Sequence, residues 1–199
     1  MNKAIFKSTS QAVHFSFIME SLEASSESVM AKMLREHLMS LGLWKSEPGS
    51  INFGGLTSLE IRGQCAMIRA SCRTKLFGPE FWVIVSRYGM VKVGKTRDGE
   101  TAYYLPPEKA EALDSLAGWL TAEHASLPPE VLKLLVIRAT SNVEGMRPTF
   151  RAISEKSGCN KDTLCRHAKK ISHRLRELET LAFDRLTPYF ERDGVIECQ

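Results

Sequence analysis

Apolar residues at Ile18, Leu22, Val29, Met33, Leu34, Leu38 and Leu41 recur at threes and fours, so the chain from about Phe15 to Leu41 is predicted to be helical. Gly42 is its expected end, and the cluster Ser25, Ser26 and Ser28 is a point where it divides into two helices. The polar, unpatterned residues 1–14 read as a flexible N-terminus, and Lys45 to Gly55, with its Pro and three Gly, reads as a loop. Thr57 with Glu60 three residues on is a capping box, opening a helix through Ile61, Cys65, Ile68 and Cys72 with Arg62, Arg69 and Arg73 turned outward. The segment FWVIVSRYG is rich in strand-forming residues, yet Pro79 before it and Gly89 at its end favour a buried helix, which is the reading taken. Asp98-Gly99 between two short strand-like runs signals a β-hairpin within 90–105, either a wing against a DNA backbone or a plain connector. Pro106-Pro107 and Pro128-Pro129 each start a helix, because proline at the first helical position gives up an amide that would have no partner there.

The stretch TFRAISEKSGCNKDTLCRHAKK, Thr149 to Lys170, carries the most information. Phe150 and Ile153 build a short helix, Gly158 sits where a tight turn needs positive φ, and Asn160 caps a second helix. Leu164, Ala168 and Ile171 pack that second helix back on the first, as in a helix-turn-helix. The apolar series continues through Leu175, Leu178, Leu181, Ala182 and Leu186, predicting a long helix that ends at Pro188. Its C-terminal half packs on the same chain, or forms a seam with a second copy in a homodimer. The fold class is therefore mostly α: a helical body with a short β-hairpin and a C-terminal helix-turn-helix module ending in a long helix. The expected divisions are residues 1–14, a body at 15–140, a linker at 141–148 around Gly145 and Pro148, and the module at 149–199.

Charge sharpens this reading. The chain of 199 residues carries +4 overall, but Arg147 to Arg176 holds nine Lys or Arg against two acids, so that segment carries +7 and the remainder −3. Basicity concentrated on one element is the footprint of a nucleic-acid partner. An α-helix fits the B-DNA major groove with its N-terminal residues at base edges. Lys161, Asp162, Thr163, Arg166 and His167 are the base-side candidates, and Arg151, Lys156, Lys169 and Lys170 the phosphate-side ones. The bland alternative is a solvated basic face or one that binds an acidic protein.

Other chemistry finds little support. There is no phosphate loop, dinucleotide fingerprint, HExxH or GxSxG, so the chain reads as a non-enzyme without a cofactor. His14, His37 and His124 are isolated and read as surface or packed residues. Five cysteines without framework spacing suit reduced thiols, and Cys65 and Cys72, seven apart, suit small buried hydrophobes. A zinc set of Cys159, Cys165, His167 and His173 fails on spacing, since Cys165 and His167 leave one helix on different sides. No apolar run spans a bilayer and the N-terminus lacks a signal-peptide pattern, so the expected compartment is the cytoplasm, with no membrane partner.

Within SEKSGCNKDTLCRHAKKISHRL the chain resembles the tail of the phage late-gene antiterminator Q proteins of the small helical type, with a fainter echo in LTSLEIRGQCAMIRA and GPEFWVIVSRYG. The resemblance is specific over Thr149 to Arg176, a motif also shared by sigma-like factors and many repressors. It implies a protein that binds double-stranded DNA near a late promoter, engages promoter-proximal paused RNA polymerase and its sigma factor, and permits terminator readthrough. By motif it carries over DNA contact by Lys161, Thr163, Arg166, His167 and Lys170. The zinc-binding cysteine motif of another Q type is absent. The competing expectations are an ordinary repressor or activator acting by operator occupancy, and a protein-interaction adaptor.

Overall fold

The computed structural model describes residues 4–21 and 56–197. Most of the helix expected over Phe15 to Leu41, its end at Gly42, His37 and the loop from Lys45 therefore lie outside the described residues. Those described form a mostly α protein with one short antiparallel hairpin. By its contacts the chain divides into two units, one holding residues up to Leu76 together with Phe183 onward, the other Phe77–Ala182.

In the first unit, α1 (Thr9–Ser21) buries Ala12, Val13, Phe15, Phe17, Ile18 and Met19, an apolar girdle too broad for a surface helix. It packs on α2 (Ser58–Lys75), whose Ile61, Cys65, Ile68 and Cys72 are all buried at the predicted spacing. The capping box opens α2: Thr57 Oγ1 accepts from the Glu60 amide at 3.3 Å, and the Glu60 carboxylate accepts from the Thr57 amide at 2.7 Å. Burial pushes the Cys65 and Cys72 thiols up to about 12, so both stay protonated. The expected flexible stretch 1–14 is not what its described part shows. Phe6 is 2% exposed, packs its ring against Phe15 with centroids 5.3 Å apart and tilted by 54°, and donates its amide to Val195 O in a parallel bridge with Ile196. Two buried phenylalanines and helix α1 from Thr9 tie down residues whose local sequence is polar.

In the second unit, α3 (Gly78–Tyr88) is the buried helix expected for FWVIVSRYG, with Val83, Ile84, Val85 and Ser86 all enclosed. It ends at Gly89, where a Cβ would collide with the Val85 carbonyl oxygen. The hairpin pairs β1 (Lys92–Lys95) with β2 (Thr101–Tyr104), register Lys92 to Tyr104. Its connection is the five residues Thr96 to Glu100 rather than a two-residue turn, with Gly99 at φ 80°. Then α4 (Pro107–Leu120) packs on α3, and α5 (Pro129–Thr140) on α4. Lys109 of α4 is 5% exposed and donates to Gly89 O at 2.6 Å; burial lowers its ammonium to about 8.

After a 3₁₀ turn at Glu144–Met146 come α6 (Phe150–Ser157) and α7 (Lys161–Arg192). The helix expected to stop at Pro188 continues through it to Arg192. Proline removes one amide and strains one turn, but Leu186 and Phe190 on either side are fully buried, and that burial outweighs the break. Helix α7 thus starts in the second unit and ends in the first, so residues 149–199 do not group as a module of their own.

Candidate nucleic-acid interface

The two-helix motif assembles from local rules. Thr149 caps α6 by accepting from the Ala152 amide at 3.1 Å. Gly158 closes the helix in the left-handed region at φ 71°, where a side chain costs about 1–2 kcal/mol. Ser154 Oγ donates to Cys159 O at 2.7 Å, holding the turn, and Asn160 Oδ1 accepts from the Asp162 amide at 2.8 Å to begin α7. Ile153, Leu164, Ile171 and Leu175, each 0–1% exposed, form the seam beneath. The segment expected as a linker is pinned as well: Arg138 donates to Pro148 O at 2.7 Å and covers the Phe150 ring at 4.1 Å, while Arg147 Nε donates to Arg138 O at 3.3 Å.

At 3.6 residues per turn, Asp162, Arg166, Lys169, Lys170 and His173 fall in an arc about 100° wide opposite that seam. Lys161, Asp162, Arg166, Lys169 and Lys170 are exposed, and Thr163 is half-buried. No family model matches the chain, and no curated protein matches its sequence. The candidate interface therefore rests on the geometry of its residues and the resemblance carried by the motif.

Three of the candidate side chains are placed differently from the rest. His167 is half-buried, its Nδ1 2.8 Å from Nδ1 of His124 and its Nε2 3.4 Å from Ser126 Oγ. It faces the α4–α5 connection. Burial lowers the proton affinity of both imidazoles; His167 lowers that of His124 further, and Lys170 and Arg166 that of His167. One Nδ1 donates and the other accepts, which requires an acceptor that is neutral. Lys156 lies beside a separate recess of about 440 Å³ under α5, and Arg151 is exposed but paired at 2.8 Å with Glu155.

Lys169 joins a concavity that charge counting along the chain does not reveal. A cleft of about 650 Å³ is lined by Arg87 from α3, Arg138 from α5, Arg147 from the segment before α6, and Lys169, His173 and Arg176 from α7. Only Arg147, Lys169 and Arg176 of its arginines and lysines fall in the basic segment; Arg87 and Arg138 come from distant elements and individually resemble ordinary surface charges.

Proposed function

We propose that this protein is a sequence-specific duplex-DNA-binding transcription regulator that inserts the N-terminal part of α7 into the major groove. The observation that carries the reading is the outward arc of α7, set by a left-handed glycine turn and an asparagine cap and held by a buried seam. Lys161, Asp162, Thr163 and Arg166 are the base-side residues, and an arginine there suits bidentate contact with a guanine edge. Lys169, Lys170, Arg151 and Lys156 are the phosphate-side residues, supplying most of the affinity and its dependence on salt. His167 orients α7 from behind rather than touching a base.

Within that class we take the regulator to be an antiterminator that engages promoter-proximal paused RNA polymerase. The resemblance over Thr149 to Arg176 supports this choice over simple operator occupancy. Transcription through a terminator with purified polymerase tests it. Addition of the protein should raise readthrough on a template bearing its site; block of initiation alone would replace antitermination with repression. Absence of salt-sensitive duplex binding would remove the DNA reading altogether.

A further inference from the structure

We propose that the cleft between α3, α5 and α7 is a binding site for a small anion carrying two or more phosphoryl groups. Its lining contains six basic side chains and no Asp or Glu. Two of the six are already matched, Arg87 by Glu179 at 2.6 Å and His173 by Glu177 at 3.3 Å. The other four, Arg138, Arg147, Lys169 and Arg176, have no carboxylate partner among the described residues. Arg138 and Arg147 spend donors on backbone carbonyls, which fixes their positions without neutralising them. Lys169 and Arg176 project from α7 seven residues apart, two turns along one flank.

Like charges gathered on a concave wall raise the local potential and favour a counter-anion. A phosphate monoester brings a charge of about −2 at most, which offsets half of the four cations. A ligand with two or more phosphoryl groups offsets the rest, and the planar forks of three arginines match its oxygens in pairs. The cavity falls in the range of about 300–1,000 Å³ that encloses small ligands. The cleft shares Lys169 with the phosphate-side residues of α7, but its Arg87, Arg138, Arg147 and Arg176 lie outside that set and none of the base-side residues lines it, so the two sites are separable by substitution.

Isothermal titration of the full chain with pyrophosphate, ATP and inorganic phosphate tests the proposal. Pyrophosphate and ATP should saturate one to one, with inorganic phosphate about tenfold weaker or more. Tighter binding of ATP identifies a nucleotide, and equal binding identifies a bare polyphosphate. Arg176→Gln and Lys169→Gln should each weaken pyrophosphate about tenfold, the loss of one charge-assisted contact, while Lys161→Gln outside the cleft should not. Arg166→Ala should leave pyrophosphate binding intact even if it abolishes duplex binding, which separates this site from the proposed function. No saturable binding of either polyphosphate, or an equal loss in Lys161→Gln, overturns the proposal. So does a duplex affinity that falls in Arg176→Gln when no free anion binds, since the cations then serve the polymer.

Discussion

Helices α2 and the first half of α7 look alike as sequence: both are amphipathic, well capped and basic on the face away from the core. They differ in where the cations go. In α2, Arg69 donates to Ser16 O and lies 3.8 Å from Glu20, Lys75 sits 5.0 Å over the Tyr189 ring, and Arg62 and Arg73 are engaged too. In α7, Lys161, Arg166, Lys169, Lys170 and Arg176 have no carboxylate partner among the described residues. Arg174 is the exception, stacked 5.1 Å over Trp119 and 3.6 Å from Glu123. A basic helix whose own protein leaves its charge unspent is the one available to an anionic partner, and counting residues does not reveal which case applies.

The largest test acts on the seams. Leu164→Ala and Ile68→Ala each empty a fully buried site and should each destabilise the chain by about 2–5 kcal/mol in denaturant melts. Only Leu164→Ala should also weaken duplex binding at temperatures where the chain is folded; an equal loss in Ile68→Ala would erase the contrast between the helices. Next comes charge: Arg166→Ala should cost about 1–3 kcal/mol on the cognate duplex, whereas Arg73→Ala should change it by about 0.5 kcal/mol or less. Band-shift titrations at fixed salt decide this, and matching losses would make both helices part of one footprint.

Helix starts come third. Gly158→Ala forces a side chain into φ 71° and should cost about 1–2 kcal/mol of stability along with duplex affinity. Thr57→Ala removes the α2 cap and should cost about 0.5–2 kcal/mol with affinity unchanged.

The smallest effect is a pH dependence set by the imidazole pair His124 and His167 where α7 meets the α4–α5 connection. With the folded-state proton affinities of His124 and His167 both lowered from about 6.5, the unfolded chain binds more protons in acid. Their contribution is present above that value and is lost as pH falls through the folded values. Glu123 opposes the shift at His124, and Lys170 and Arg166 reinforce it at His167. NMR should find both imidazoles titrating below the ordinary range, and His167→Gln should reduce the drop in Tm between pH 7 and pH 5 by a few degrees at most.

What the sequence made legible was local. The capping box at Thr57, the proline starts of α4 and α5, the turn at Gly158 and the seam through Leu164 and Ile171 follow from chemistry within a turn or two of the chain. What stayed hidden depended on distant partners. His124 lies 43 residues before His167, so the outward position predicted for that imidazole could not reveal the ring that holds it. Phe6 gained its order from Val195 and Ile196 at the far end of the chain. Pro188 read as a stop because the buried anchors on both sides of it act through tertiary packing. The basic cleft draws Arg87 and Arg138 from outside the basic segment, and their spacing along the chain carries no sign of that meeting.

The two enclosed thiols of α2 turn that helix into its own clock. Because Cys65 and Cys72 are at most 1% exposed and hold their protons to about 12, an alkylating reagent can reach a thiolate there only after the packing around this helix opens locally. The labelling rate, compared with that of a free thiol, therefore measures how often this part of the molecule breathes.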